Sequence, residues 1–273
     1  MTDFRMSTTL ALAPTSADRI HEIDTPLISA TQVVARLGAN PTITIPMVCG
    51  MVSGVEPDVD AIWRYLKEPA DFFDLPIPER AALRAALGRF GGEIRGGGRA
   101  LIAATVTLLD IDGRPDFVVT GTVVRPVRPT PVRIASCEVG LPVVRRSDPH
   151  WLRMAARTTS RGPVDQVQRW LDDGGFADAV PAKPRVGAPL LGALVFECAD
   201  GLVGIDAGEP TSILGQLERC GAVSGVRSVD ERPQRADRAW WISPNYETHP
   251  VVSIDDGRFD VDAGAAAPFV GLR

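Results

Sequence analysis

The chain has 273 residues, 45% hydrophobic and 23% charged, with a formal net charge of −5. That length suits two compact lobes rather than one core, and the acidic balance leaves no basic footprint for nucleic acid. No apolar run reaches the ~18 residues of a membrane-spanning helix.

Residues 1–25 read as a mobile N-terminal tail. Asp3 before its short apolar patch, and charges soon after it, argue against a secretory signal, so a cytoplasmic location is expected. Residues 28–55 contain apolar runs (ITIPMVCGMVSGV) that predict strands. A helix follows over 58–70, with Asp58 as its cap and Ile62, Trp63 and Leu66 on its apolar side. LPIP breaks the chain, and ERAALRAALGRF predicts a second helix over 79–90. GGEIRGGGR lacks P-loop spacing and reads as a loop. ALIAATVTLLDI and DFVVTGTVVRPV, separated by DGRP, predict an antiparallel hairpin. The proline-rich RPVRPTP is the best linker, dividing a lobe over 26–128 from one over 129–273.

The second lobe opens on a strand, VRIASCEVGL. Asp148 and Pro149 start a short helix or a loop with helical turns over 150–156. PVDQVQRWLDD is a stronger helix, with Val164, Val167, Trp170 and Leu171 at helical spacing and Gly174–Gly175 ending it. ALVFEC, GLVGID, AWWIS and PVVSID are short strands. The alternation gives an α/β or α+β domain.

Four cysteines (Cys49, Cys137, Cys198, Cys220) are scattered without metal-ligand spacing, as are the three histidines, so no zinc site is expected. Reduced thiols are the default in a chain without an export signal, and Cys137, Cys198 and Cys220 read as small core residues. Only two residues are lysines, Lys67 and Lys183, against 27 arginines. Chemistry that needs a side-chain amine therefore has two candidates.

Three segments in order, RTTSRGPVDQVQRWLDDGGFADAV, GAPLLGALVFECADGLVGID and ADRAWWISPNYETHPVVSIDDGRF, resemble the fold-type IV (class IV) aminotransferases. That family includes the D-amino-acid and branched-chain aminotransferases and aminodeoxychorismate lyase. IWRYLKEPADFFDLPIP adds a weaker match, and together the segments span roughly 200 residues. The resemblance implies a two-lobed fold, a homodimer, and pyridoxal phosphate (PLP) held as a Schiff base on a lysine. At that lysine position stands Arg157, whose guanidinium cannot usefully lose a proton and attack an aldehyde. The glutamate that meets the pyridine nitrogen matches Pro189, a nearby asparagine matches Leu194, and a phosphate-binding threonine matches Pro244. The phosphate-binding arginine is kept as Arg64. These departures imply that PLP is lost as a covalent cofactor; non-covalent binding, and a rescue by Lys183, stay open.

Arg157 and Arg64 are candidate clamps for a carboxylate or phosphate, or else structural ion pairs. Thr158, Thr159 and Ser160 offer hydroxyls to an anion or to a local turn. Thr211 and Ser212 stand at an expected helix start, as anion donors or simple caps. Tyr246, Glu247 and His249 are an acid–base trio or structural residues. Arg145 and Arg146 line a cleft entrance or are solvated. Trp240 and Trp241 point to opposite strand faces, one of them into the core. Three functions remain: a PLP-independent lyase, cyclase or isomerase acting on a small anionic metabolite in a cleft between the lobes; a non-catalytic pseudoenzyme; or a conventional PLP-dependent aminotransferase or lyase.

Overall fold

The computed structural model describes residues 10–12, 20–22, 39–49, 56–94, 100–111, 114–124, 130–137, 148–182, 187–207, 212–261 and 267–270. The chain forms two compact units, Met1–Val124 with Val144–Arg161, and Arg125–Val143 with Gly162–Arg273. It therefore passes from one unit to the other three times, and the segment bearing Arg157 belongs to the first.

The first unit holds a five-stranded sheet in the order β2-β1-β5-β4-β3. Its strands are β1 (Leu10–Leu12), β2 (Ile20–Glu22), β3 (Thr42–Cys49), β4 (Ala100–Ile111) and β5 (Arg114–Val124). β1 and β2 lie within the stretch read as a tail; Leu12 pairs with Val119 of β5. The expected hairpin is β4–β5, paired from Leu101↔Val124 to Ile111↔Arg114. Alternation sorts its residues. Ile43, Ile45, Ile102, Ala104, Val106 and Val119 face the core, while Thr42 and Thr44 meet Thr107 and Thr105 through hydroxyl pairs at 3.0 and 2.9 Å.

Two helices cover that core face. In α1 (Val59–Phe72) Asp58 accepts from the Ala61 amide at 2.9 Å, the cap expected from sequence. α2 (Arg80–Ile94) runs past its expected end at Phe90 into GGEI. Ile62, Leu66 and Ala70 of α1 and Leu83, Leu87 and Phe90 of α2 are buried against the sheet. Gly121 is required there, because a Cβ would lie 2.3 Å from the Phe90 ring. The short α3 (His150–Ala155) also belongs to this unit.

The second unit is a mixed sheet in the order β10-β9-β8-β11-β12-β6-β7, with β13 paired to β12. Its strands are β6 (Val132–Cys137), β7 (Asp178–Pro181), β8 (Ala193–Cys198), β9 (Gly201–Ile205), β10 (Val226–Ser228), β11 (Arg238–Ile242), β12 (Thr248–Ile254) and β13 (Gly257–Arg258). β6 pairs in parallel with β7 and β12, and β9 with β10; the other pairs are antiparallel. Helix α4 (Gly162–Gly174) sets Leu171 on Ala135 and Ala179. Helix α5 (Ile213–Arg219) sets Leu214 against Gly204. Strand parity puts Trp240 on this helix-bearing face. Trp241 lies on the other face, in a cluster with Ile134, Val180, Leu194, Phe196 and Val251. Both tryptophans are buried, so each face takes one.

Candidate functional site

The polar groups of the second unit gather at one end of its sheet, because the pairing directions place the starts of β7, β8 and β12 beside the ends of β9 and β11. Asp178 opens β7 there and is fully buried. Its Oδ1 accepts from the amides of Ala179 (2.7 Å) and Leu191 (3.0 Å). Its Oδ2 accepts from the Gly192 amide and the Trp241 indole N–H, each at 2.8 Å. Burial pushes this carboxyl above the ordinary carboxylate range; the indole and the three amides pull the other way.

Trp241 pairs in register with His249 across β11 and β12, and the two rings lie 5.6 Å apart, tilted by 39°. His249 Nδ1 is 3.1 Å from the Thr130 carbonyl. A carbonyl only accepts, so Nδ1 carries the proton in this contact and Nε2 presents either a lone pair or a second N–H. Nε2 lies 3.8 Å from Glu247 Oε2, with the imidazole 20% and the carboxylate side chain 44% exposed. The pair is thus reachable from solvent yet held from behind.

The loop joining β11 to β12 sets Glu247. The Ser243 amide donates to the Glu247 carbonyl at 2.8 Å, and Ser243 Oγ accepts from the Asn245 and Glu247 amides at 3.2 and 3.1 Å. Tyr246 turns the loop at φ 64°, a left-handed position that a tyrosine occupies only under support. Its ring is buried and its hydroxyl donates to Gln216 Oε1 at 3.1 Å. Burial holds the phenol far above its usual range. Tyr246 is thus engaged inside the loop, while Glu247 and His249 lie side by side within reach of solvent.

Ser212 caps α5. Its Oγ accepts from the Gly215 amide at 2.9 Å and donates to Asp206 Oδ2 at 2.8 Å, and the same oxygen accepts from the Leu214 amide at 2.8 Å. Capping is the geometry seen, and an internal carboxylate satisfies the first turn. Thr211 lies outside the described residues, as do Arg145, Arg146 and Lys183.

The remaining candidates sit in the first unit. Arg157 pairs with Glu68, its Cζ stands 4.6 Å from the Tyr65 ring, and its carbonyl accepts from the Thr42 amide at 2.9 Å. This is the structural ion pair weighed from sequence. Arg64 is exposed and donates from Nε to the Asp60 carbonyl at 3.2 Å. Thr158 is buried; its hydroxyl donates to the Ala155 carbonyl at 2.7 Å and accepts from the Ser160 amide at 3.2 Å. Thr159 Oγ1 accepts from the Asn40 amide at 3.1 Å. These hydroxyls hold a turn, and Ser160 is exposed.

Sequence reasoning passed over Asp178, Asp206 and the Trp241–His249 stack. Asp178 stands in GFADAV next to a helix end, where an acidic residue reads as solvated. Only the strand order brings it under Trp241. Among the described residues no group of three or more His, Cys, Asp or Glu is arranged to hold a metal ion.

The chain is similar in fold to solved structures of aminotransferases. A hypothetical aminotransferase from Mycobacterium tuberculosis, in PLP-bound form, is 18% identical with a TM-score of 0.62, over 92% of this chain and 93% of that one. A fold IV-transaminase from Curtobacterium pusillum is 17% identical with a TM-score of 0.60, over 93% of each chain. A putative branched-chain amino acid aminotransferase from Thermotoga maritima is 16% identical with a TM-score of 0.57, over 92% of this chain and 89% of that one. No family model matches the chain, and no curated protein matches it. The fold expected from the three segments is the fold observed, at identities that speak for the fold alone.

Proposed function

We propose that the chain is a PLP-independent enzyme on a class IV aminotransferase scaffold, acting on a small anionic metabolite with Glu247 and His249 as its acid–base pair. The observation that carries this reading is the His249 imidazole: the Thr130 carbonyl fixes Nδ1, so Nε2 is left to exchange protons beside Glu247 Oε2.

The side chains at the matched positions support PLP independence. Lys67 is the one lysine among the described residues, and its ammonium is engaged by Asp71 on the solvent-facing side of α1. Arg157, at the position the resemblance gives to the lysine, is engaged by Glu68. Pro189 and Pro244, at the glutamate and threonine positions, bring neither a side-chain acceptor nor an N–H. The donors that start α5 already serve Asp206.

In this reading His249 takes a proton from carbon or oxygen of the metabolite, and Glu247 stabilises the resulting imidazolium. Return of the proton elsewhere, or loss of a leaving group, makes the step an isomerase, cyclase or lyase reaction.

Two measurements test the reading. Protein as purified, reduced with borohydride without added PLP, should keep its mass; a pyridoxyl group found on Lys67 or Lys183 overturns PLP independence. Small carboxylates and phosphates incubated in D2O should include one that gains deuterium, with the gain lost in His249→Asn. Exchange that survives His249→Asn removes the acid–base assignment. No exchange in any compound leaves a non-catalytic scaffold.

A further inference from the structure

We infer that Asp178 is a positioning residue for His249, acting through the indole of Trp241; the inference rests on the acid–base reading of His249 and deepens it. A fully buried carboxylate without a countercharge is expensive, and among the described residues its partners are four N–H donors and no cation. An apolar side chain of similar size would pack there at lower cost unless the fold needs what the carboxylate holds.

What it holds is specific. Each oxygen takes two donors, and the four donors come from β7, the loop before β8, and β11. Oδ2 couples the Gly192 amide to the Trp241 indole. The sequence makes room for this coupling with glycine: a Cβ at Gly192 would lie 2.4 Å from Trp241 Nε1 and 2.3 Å from the Ile242 carbonyl. The indole edge is therefore pinned by Asp178, and its ring lies against the imidazole of His249.

That imidazole has three supports: the Thr130 carbonyl at Nδ1, Glu247 on the Nε2 side, and the Trp241 ring. The Thr130 contact holds one nitrogen, while the Glu247 contact at 3.8 Å is too long to hold the other, so turning about the Cβ–Cγ bond is only loosely restrained. The Trp241 ring limits that turning. Losing the indole's anchor would let the ring swing and carry His249 Nε2 away from the direction set beside Glu247. Asp178 touches neither His249 nor, in this scheme, any reacting atom, so its role is placement.

The test is NMR of the full chain labelled at histidine, with His249 assigned by His249→Asn. The ring current of Trp241 marks the His249 resonances, so they report its position. Asp178→Asn offers one acceptor oxygen in place of two; it should move the Trp241 indole N–H and the His249 ring resonances together and leave His150 unmoved. In a Trp241→Phe background, which has no indole N–H, Asp178→Asn should add no further shift at His249. Gly192→Ala, which pushes the indole edge from the carboxylate, should move the same two sets of resonances and serves where Asp178→Asn does not fold. A moved indole with unmoved His249, or an equal Asp178→Asn shift with and without the indole, overturns the inference. The readout is a resonance and not turnover, so a chain in which this linkage holds but deuterium exchange is absent refutes the acid–base reading alone.

Discussion

In the first unit the described ion pairs lie at the surface: Lys67 with Asp71, Arg80 with Asp60, and Arg157 with Glu68, each with a partner more than half exposed. The second unit has surface pairs too, Arg227 with Asp200 and Arg238 with Glu197, but it also takes hydrogen-bonded polar groups inside. Asp178 is fully buried, Tyr246 and Gln216 are buried together, and Ser243 holds a loop from within. Surface pairs in water contribute little and are exchanged cheaply. Buried polar groups are costly to leave unmatched and fix one geometry. The difference lies in what burial orders: the first unit's buried Asp116 and Thr158 bond to their own strand and turn, whereas the second unit's buried polar groups surround the Trp241–His249 pair.

The largest effect that could break this comparison is at Asp178. Replacing it with leucine strands three amides and an indole N–H in the interior. Each stranded donor costs about 1–3 kcal/mol, partly relieved by relaxation and by the lost cost of the buried charge, so we expect a net loss of about 3–5 kcal/mol. Denaturant unfolding followed at the second unit's tryptophans measures it. A neutral or stabilising result would make the carboxylate a replaceable polar group and erase the contrast.

A second test lies in the first unit. Tyr65 is buried, and that burial raises its phenol from 10.0 to about 12, against the pull of Arg157 and Arg161 and with a push from Glu68. A raised value means the folded state prefers the protonated phenol. The stability it confers is complete below pH 10.0 and is lost as pH rises toward about 12. A shift of this size corresponds to about 2–3 kcal/mol. Unfolding midpoints should fall through that window and flatten in Tyr65→Phe. The chain has only two tyrosines, and the Tyr246 phenol is raised further, so native protein should show little tyrosinate absorbance around the ordinary tyrosine range.

Two glycines give a like-for-like pair, one in each unit. Alanine at Gly121 meets the Phe90 ring at 2.3 Å, and alanine at Gly192 meets the Trp241 indole and the Ile242 carbonyl. Both should cost about 1–3 kcal/mol by overpacking. Only Gly192→Ala should also disturb His249, because only there does the crowded ring lead to it.

These elements differ in how far sequence foretold them. The β4–β5 hairpin and the Asp58 cap follow from local spacing, and the structure has them; of the α4 stripe, Val167 and Leu171 pack inward while Trp170 is 52% exposed. The order of three motifs gave the scaffold. Tyr246, Glu247 and His249 stand out by proximity along the chain, but their division into one buried, loop-setting phenol and one solvent-reachable pair depends on a left-handed turn and a Gln216 thirty residues away. Asp178 and Trp241 are 63 residues apart and meet only through the order of the sheet. No periodicity carries that information. Arg157 was located by resemblance, yet its partner, Glu68, comes from another part of the chain.

The smallest effect belongs to that last pair. Arg157 is 23% exposed and Glu68 60%, so the charges are largely screened. Arg157→Ala removes the pair and the packing of the guanidinium on Tyr65, together about 1 kcal/mol. The loss should shrink as salt is added, because an exposed pair weakens within a shortened screening length while the ring contact persists. Glu68→Gln should reproduce the salt-dependent part and spare the rest. A loss of several kcal/mol that ignores salt would place Arg157 among the buried, geometry-fixing groups. The first unit would then hold a site as firmly set as the second, and the distinction drawn between them would fail.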